Sequence, residues 1–336
     1  MSAVPPRRIL IVSLDNLGDL AFACALIPVL RATFPIAEIG VWSKEYASGL
    51  LPFVPGASRV HSSDPFWDGS PGRGAGSILK FFRTLAEVRA AGYDLALLPN
   101  TRWRVALAAR LAGIPRRIGF DQRGSHRWLT DVLSPEKRDV PIVGEWARLL
   151  APLGADPGLA VLKLEVPSSL AAPRAAYAAR LGPGPLAAVH PFAGDARRCA
   201  PVSFWIELLR RLRADGMKKA VVIGAPGESR AFAAGISAAE GLPEIIAAAD
   251  MGAGTLSDAL LTISLCGVFI GHDSGPLHCA AGLGIPALGL YLPGDWPRAM
   301  PQGRAAWKAI RRPGPSDADP AEAAALASEL FRSHIK

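Results

Sequence analysis

Residues 271–291, GHDSGPLHCAAGLGIPALGLY, decide the fold of this chain. The apolar run at 268–270 leads into them and predicts a buried strand. Pro276 is well placed as the first residue of a helix over 277–283, because its missing N–H costs nothing there. Residues 285–290 predict a second apolar strand. The resulting strand–loop–helix–strand unit is typical of a parallel sheet.

The loop of this unit carries Asp273, Ser274 and Gly275 at the carboxyl end of a strand, beside a helix N-terminus. Open α/β sheets bind ligands at that place, and the free N–H groups and dipole of the helix suit an anion such as a diphosphate. We expect Asp273 to accept hydrogen bonds from backbone N–H or ligand hydroxyl groups, and His278 to donate to a phosphate oxygen. The alternative is that Asp273 and Ser274 only cap the helix and that His278 is a satisfied buried histidine.

Composition narrows the class of protein. The 336 residues are 50% hydrophobic and 20% charged, which fits two globular domains. The net charge of +8 favours an acidic partner, but the arginines are scattered and no basic stripe is interleaved with aromatic residues, so we predict no nucleic-acid partner. No apolar run approaches the roughly 20 residues that span a bilayer, and the N-terminus lacks a signal-peptide core. The four cysteines show no metal-ligand spacing, so we predict reduced thiols and no metal site.

Strand-like and helix-like segments alternate through both halves of the chain, which predicts parallel, doubly wound sheets. The segment 157–173 is taken as an interdomain linker. We therefore predict one domain over 1–165 and a second over 174–315. The last segment, 316–336, predicts a helix that could pack back toward the first domain.

Two stretches of the first half bear on ligands. A Gly-containing turn at 14–19 precedes a helix predicted over 20–31. The segment 62–76 is rich in Asp, Pro, Gly and Ser and predicts a mobile loop, yet it carries Phe66 and Trp67. These aromatic residues suggest contact with a ligand or a membrane. The alternative is that both fold back on the core.

Four segments, in order, resemble glycosyltransferase family 9, the ADP-heptose:lipopolysaccharide heptosyltransferases, which have the GT-B fold. They are 8–31 (RILIVSLDNLGDLAFACALIPVLR), 93–121 (YDLALLPNTRWRVALAARLAGIPRRIGFD), 190–201 (HPFAGDARRCAP) and 271–281 (GHDSGPLHCAA). The resemblance implies an α/β, GT-B protein with two Rossmann-like parallel-sheet domains facing a central cleft. It implies further that the N-terminal domain binds the acceptor and the C-terminal domain the nucleotide sugar.

For the N-terminal domain, the resemblance implies that Asp19 is the catalytic base. A carboxylate there could take the proton of an acceptor hydroxyl as it attacks the anomeric carbon. Asp15 is the rival carboxylate, and the alternative role of Asp19 is to cap a helix that starts at Leu20. The resemblance also places Asn16, Gly18 and Arg123 at the acceptor. Arg123 belongs to a basic cluster that could hold an anionic glycolipid core or could be solvated loop charge; its other members are Arg116, Arg117 and Arg127.

For the C-terminal domain, the resemblance implies a set of residues that bind the nucleotide sugar. Arg198 aligns with the phosphate-binding lysine of the family and can bind phosphate with two parallel hydrogen bonds. Glu228 corresponds to the carboxylate on the ribose, although it could be an ordinary first-turn Glu. The remaining candidates are Phe192, Ala193, Gly254, Asp273, Ser274, Gly275 and His278. The chain departs from the family pattern at Phe192, Ala200 and His272.

The expected function is therefore an inverting, metal-independent sugar transfer from a nucleotide diphosphate sugar, an ADP-sugar being favoured, to a lipopolysaccharide-core or other glycan acceptor. No cofactor is expected, and the acceptor is expected to be anionic. The expected location is the cytoplasm, where a peripheral contact with the inner face of the cell membrane is allowed. The alternatives are a nucleotide-sugar epimerase or hydrolase, which needs no acceptor, and a non-catalytic sugar-binding module on the same fold.

Overall fold

The computed structural model describes residues 5–68, 74–100, 102–136, 139–294 and 296–335. The chain divides into two compact units, Met1–Lys163 and Leu164–Lys336. The division falls within the segment predicted as the linker. Each unit has its own sheet and its own core, so each is described by itself.

The first unit contains a six-stranded parallel sheet. Its strands are β1 (Arg8–Ser13), β2 (Glu38–Ser43), β3 (Arg59–Ser62), β4 (Leu95–Leu98), β5 (Arg116–Phe120) and β6 (Asp131–Leu133). Its helices are α1 (Leu17–Cys24), α2 (Ile27–Thr33), α3 (Ile78–Ala91), α4 (Trp103–Leu111) and α5 (Ile142–Ala147). The strands lie in the order β3-β2-β1-β4-β5-β6.

The second unit repeats this plan. Its strands are β7 (Leu186–His190), β8 (Lys219–Val222), β9 (Glu244–Ala247), β10 (Val268–His272), β11 (Ala287–Tyr291) and β12 (Trp307–Arg311). Its helices are α6 (Ala171–Leu181), α7 (Val202–Ala214), α8 (Pro226–Ile236), α9 (Leu256–Ile263), α10 (Gly275–Gly282) and α11 (Pro320–Ile335). Read from β9, the strand order is β9-β8-β7-β10-β11-β12.

Both sheets therefore place their third, second, first, fourth, fifth and sixth strands side by side, which is the Rossmann order. The predicted pair of Rossmann-like parallel sheets is confirmed. In such a sheet the strand order reverses between the first and fourth strands, and ligands bind in the crevice outside the carboxyl ends of those strands. We call this place the switch point; it lies between β1 and β4 in the first unit and between β7 and β10 in the second.

The central strands are apolar because helices cover both of their faces. All five residues of β7, β10 and β11 are buried, as are five of the six residues of β1. The edge strand β12 differs, because only Ile310 of its five residues is fully buried. Its mixed sequence, WKAIR, explains why the apolar pattern did not predict it. The three-residue strand β6 was missed for the same reason.

Helix α11 belongs to the second unit. It packs against α7 and against β10 and β11. A Cβ added at Gly267, just before β10, would lie 2.3 Å from the Phe331 ring, so the helix approaches the sheet closely at this glycine. The predicted separate segment over 316–336 is thus an integral layer of its own unit, held there by its apolar face.

Two predictions in the first unit need correction. The helix predicted over 20–31 is two helices, since α1 begins at Leu17 and α2 starts anew with Pro28 in its first turn. Phe66 and Trp67 fold back on the core, as the alternative held. Their ring centroids lie 5.5 and 4.9 Å from that of Phe81. Part of the surrounding predicted loop, residues 69–73, lies outside the described residues.

Candidate active site

An ion pair bridges the switch point of the second unit. Arg198 lies on the loop after β7, and Asp273 directly follows β10. Nη2 of Arg198 contacts the Asp273 carboxylate. Arg198 Nε also donates to the Pro293 carbonyl, after β11, at 3.0 Å. On the other side, His278 Nε2 lies 3.6 Å from Asp273 Oδ1. The fold thus brings three of the predicted donor-site side chains into one cluster.

Asp273 is the anchor of this cluster. Burial alone would raise the pKa of its carboxyl group, but His278 and Arg198 outweigh that effect and lower the pKa. The carboxylate is therefore ionised and accepts a hydrogen bond from the Arg198 guanidinium. The Arg198 side chain stays 29% exposed while that of Asp273 is only 8% exposed. A ligand reaching this loop therefore meets the guanidinium before the carboxylate.

The N-terminus of α10 faces the same edge. Ser274 occupies the N-cap position with extended backbone, φ −160° and ψ 164°. Its hydroxyl donates back to the His272 carbonyl at 3.0 Å, and no side chain of the described residues caps the helix. The capping alternative is therefore not adopted by Ser274. Helix α10 begins at Gly275, and its positive end suits an anion.

His272 fixes the loop that carries Arg198. Its Nε2 accepts from the backbone N–H of Ala200 at 3.2 Å, so the proton of the neutral ring resides on Nδ1. Burial, followed by the nearby His190, lowers the pKa of His272 to about 4. The ring is neutral at physiological pH and acts as a hydrogen-bond acceptor, which ties the end of β10 to residue 200.

Phe192 lies on the same loop as Arg198, after β7. Its ring covers Gly224, where an added Cβ would lie only 2.5 Å from it. The ring also stands at right angles to that of Phe232, at 6.0 Å between centroids. Phe192 and the adjacent Ala193 remain partly exposed. The departure at Phe192 therefore has a packing reason within the second unit.

Two further donor-site candidates lie on the loops after β8 and β9. Glu228, in the first turn of α8, accepts from the backbone N–H of Ala225 at 3.2 Å, and its side chain is exposed. The N–H of Gly254 donates to Asp258 Oδ2 at 3.2 Å. Both residues share the carboxyl edge of the sheet with Arg198. The Arg198 side chain, however, contacts Asp273 and Pro293, which lie on the loops after β10 and β11.

The switch point of the first unit also carries an Asp–Arg pair. Arg102, after β4, places Nη2 3.9 Å from Oδ1 of Asp15, after β1. Asp15 is only 8% exposed. The pKa of Asp15 is raised to about 7, mainly by burial and next by the nearby Asp19, although Arg102 and Lys44 act against the rise. Two carboxyl groups thus interact at the place where this sheet is expected to bind a ligand.

Asp19 is the third residue of α1 and is partly buried. The alternative role of Asp19, as the N-cap of a helix that starts at Leu20, is therefore wrong, because the helix begins at Leu17. Asn16 occupies the N-cap position, and its Oδ1 accepts from the Tyr46 hydroxyl at 3.2 Å. The same hydroxyl oxygen accepts from the N–H of Leu17 at 3.0 Å. Asn16, Gly18 and Asp19 consequently sit together on the first turn of a braced helix.

The predicted basic cluster does not form one surface. Arg123 is exposed on the loop after β5 with φ +51°, two strands away from β1. Arg116 instead pairs with Asp131 at 2.9 Å. Arg117 is 9% exposed and donates to backbone carbonyls, including that of Ile114. Only Arg123 and Arg127 remain as exposed charges of this set.

Four polar side chains near the switch point of the first unit were not predicted from the sequence: Lys44, Tyr46, Asp68 and Arg102. Lys44 is only 4% exposed, and its Nζ lies 2.7 Å from Asp68 Oδ2. Each of the four follows a strand of the sheet, and that position is the signal that could have found them. Among the described residues, no group of three or more His, Cys, Asp or Glu side chains is arranged to hold a metal ion.

Comparison with known proteins gives a consistent result. The family model of glycosyltransferase family 9 (heptosyltransferase) matches residues 78–310. Lipopolysaccharide heptosyltransferase 2 of Escherichia coli K12 is 28% identical over 302 residues, which are 85% of this chain and 83% of that protein. A glycosyl transferase of family 9 from Veillonella parvula has a TM-score of 0.80 at 18% identity, over 97% of each chain. The E. coli ADP-heptose lps heptosyltransferase II has a TM-score of 0.77 at 20% identity, over 98% of this chain and 100% of that chain.

Proposed function

The chain belongs to glycosyltransferase family 9, and we propose that it transfers heptose or a similar sugar from a nucleotide diphosphate sugar to a lipopolysaccharide-core or other glycan acceptor. The observation that carries this proposal is the cluster of Arg198, Asp273 and His278 at the switch point, beside the positive end of α10. A guanidinium and a helix N-terminus at one sheet edge suit a diphosphate. An ADP-sugar is the favoured donor, because a relative with the same fold bears ADP-heptose in its name.

The second unit would bind the donor. Arg198 and the N-terminus of α10 would stabilise the charge that grows on the leaving diphosphate, with His278 supporting the cluster through Asp273. Arg198 replaces the lysine expected at this position and can offer two parallel hydrogen bonds to phosphate oxygens. The other donor residues would be Glu228 on the ribose, Gly254 at the base, and Phe192, Ala193, Ser274 and Gly275 along the edge.

The first unit would bind the acceptor and remove its proton. Asp19 is the proposed base, since its carboxylate lies on the first turn of α1 at the switch point. Asn16, Gly18 and Arg123 are the proposed acceptor contacts. In a single displacement the hydroxyl attacks the face of the anomeric carbon opposite the leaving group, so the product is inverted. Asp15, whose pKa is raised, is suited to hold a proton next to Asp19.

The proposed reaction needs no metal and no cofactor, because cationic side chains and a helix N-terminus serve the leaving group. The acceptor is proposed to be anionic, which agrees with the net charge of +8. The proposed place of action is the cytoplasm, at the inner face of the cell membrane. No helix in the described part of the chain is long and apolar enough to cross a membrane.

Ligand-induced stabilisation tests the donor half of this proposal. The purified chain is heated with ADP, UDP or GDP, each with and without Mg²⁺. A ligand at one hundred times its dissociation constant adds about 2.7 kcal/mol to the free energy of unfolding. We expect ADP to raise the melting temperature most, equally with and without Mg²⁺. Equal melting temperatures with all three nucleotides and with none would contradict a nucleotide-sugar donor.

A further inference from the structure

Large exposed apolar side chains are concentrated on two neighbouring helices of the first unit. Among the described residues, ten such side chains are exposed, and five of them belong to α3 or α4: Ile78, Leu79, Phe82, Trp103 and Leu111. Leu79 is 84% exposed and Ile78 55%. Single exposed apolar residues are normal, whereas a cluster of this kind marks an interaction surface.

The two helices cover the same face of the first sheet. Phe81 and Val88 of α3 and Val105 and Ala109 of α4 enter one hydrophobic core cluster. The opposite sides of both helices therefore point outward together. Because the sheet is parallel, α3 and α4 both begin at its carboxyl edge, where α1 and Asp19 also lie.

The outward sides are also basic. Helices α3 and α4 carry one acidic residue, Glu87, against five exposed basic residues: Lys80, Arg83, Arg89, Arg104 and Arg110. The Arg104 guanidinium lies over the Trp103 ring at 4.6 Å. Arg89 Nη1 lies 3.5 Å from the carbonyl of Leu111. Cationic and apolar groups are thus interleaved; this surface is called the α3/α4 face below.

A groove of about 830 Å³ opens beside this face, between β3 and α3. Hydroxyl groups, two cationic groups, two apolar side chains and one carboxylate line it: Val60, Ser62, Ser77, Leu79, Lys80, Arg83, Thr84 and Glu87. Lys80 also pairs with Glu45 at 2.5 Å, which holds its ammonium group at the groove. Hydroxyl groups, an ammonium and a guanidinium are the donors that a phosphate oxygen accepts from.

We propose that the α3/α4 face docks on the surface of an anionic phospholipid bilayer. Its apolar side chains would enter the boundary of headgroups and acyl chains, and its arginines would pair with lipid phosphates. Charge complementarity selects this occupant, because a face with five basic residues and one acidic residue repels a second copy of itself. The purpose of docking rests on the proposed function, in which a glycolipid acceptor is presented at the carboxyl edge of this unit.

Vesicle flotation with the full chain tests the proposal. The wild type is mixed with vesicles of phosphatidylcholine alone or with about one third phosphatidylglycerol, and the bound fraction is measured. We expect binding only to the anionic vesicles. The double variant Ile78→Ser/Leu79→Ser should lose about tenfold in vesicle affinity. Ile36→Ser is the matched control, because Ile36 is 92% exposed but lies off this face, and it should bind as the wild type does.

A second pair of variants tests the charges. Arg83→Gln/Arg89→Gln should weaken binding about fivefold for each charge removed, and the remaining binding should depend less on salt. Arg211→Gln, on α7 of the second unit, should change nothing. Wild-type indifference to anionic vesicles, or unchanged binding by both double variants, would overturn the proposal. A concentration-dependent dimer that Ile78→Ser/Leu79→Ser dissociates, without flotation, would assign the face to a second copy.

Activity separates this proposal from the proposed function. Ile78→Ser/Leu79→Ser should transfer sugar to a soluble, lipid-free core oligosaccharide at the wild-type rate and lose rate only on acceptor embedded in vesicles. A wild type that floats with anionic vesicles but transfers no sugar would leave the docking face standing and refute the transferase. A wild type that transfers sugar to the soluble acceptor but does not float with anionic vesicles would support the transferase and refute the docking face.

Discussion

At the scale of single residues, the proposed reaction depends on which carboxylate of the first unit acts as the base. Asp15 and Asp19 interact, and burial keeps Asp15 protonated more readily than an ordinary aspartate. Asp19 is proposed as the base because it lies on the first turn of α1 at the switch point, and Asp15 is proposed as its neighbour that holds a proton.

Replacement of Asp19 tests this assignment. Asp19→Asn should lower kcat about a thousandfold, because a positioned general base contributes roughly two to four powers of ten. Affinity for ADP and the melting temperature should stay near their wild-type values. The measurement is the initial rate of sugar transfer with saturating donor. A variant that keeps a near wild-type rate would move the role of base to Asp15.

Replacement of Asp15 has an effect on stability with a defined sign. The folded pKa of about 7 lies above the ordinary value of 3.8, so the folded chain binds more protons between these values and loses stability as the pH rises. Asp15→Asn removes this loss. The variant should be more stable than the wild type at about pH 8, by a few kcal/mol, since one pKa unit corresponds to about 1.4 kcal/mol.

Urea unfolding near pH 5 and pH 8 measures this effect. The gain from Asp15→Asn should be larger at the higher pH. Asp139→Asn, at an exposed position of the same unit, is the control and should show no such difference. An equal gain or loss at both pH values would mean that the folded structure does not disfavour the charge of Asp15.

Arg198 and its neighbour Arg197 form a matched pair for the donor site. Arg198 contacts Asp273, whereas the Arg197 side chain is 89% exposed and forms an ion pair with Asp195. Arg198→Ala should weaken ADP binding about tenfold to a hundredfold, because a charge-assisted hydrogen bond contributes roughly 1.5–3 kcal/mol. Arg197→Ala should leave it unchanged. Calorimetric titration measures both, and equal losses would contradict a specific role for Arg198.

At the scale of elements, local pattern predicted the regular segments well. The strand–loop–helix–strand unit predicted over 268–290 is present as β10, α10 and β11, because Gly and Pro residues separate its apolar runs. The start of α1 was missed, since its N-cap depends on Tyr46, a residue 30 positions away from Asn16. Lys44, Asp68 and Arg102 were missed for a similar reason: nothing local to them indicates that their strands meet at one sheet edge.

The packing of α11 gives a test at this scale. Gly267→Ala places a methyl group against the Phe331 ring, so it should lower the free energy of unfolding by about 1–3 kcal/mol. Gly235→Ala in α8 is the control, because an added Cβ there has no described neighbour within 4 Å. That control should stabilise the chain by about 0.5–1 kcal/mol. Urea midpoints measure both effects. An unchanged free energy of unfolding in Gly267→Ala would show that α11 shifts to admit the methyl group at little cost.

At the scale of the whole molecule, the two units share one strand order, and an Asp–Arg pair lies at each switch point. In the first unit Asp15 follows the first strand, β1. In the second unit Arg198 follows the first strand, β7. The parallel sheets could be predicted from the alternation of strands and helices. The pairs could not, because each joins loops that the chain separates by more than 70 residues.

The reaction proposed for this chain transfers a sugar from a nucleotide diphosphate donor to a glycan acceptor. The most direct measurement follows ADP release and acceptor mass in one reaction that contains ADP-heptose and lipid-free lipopolysaccharide core, with and without EDTA. We predict that ADP appears only when acceptor is present, that the acceptor gains one sugar per ADP released, and that EDTA changes neither. ADP release without acceptor, or an acceptor of unchanged mass, would contradict the proposed reaction.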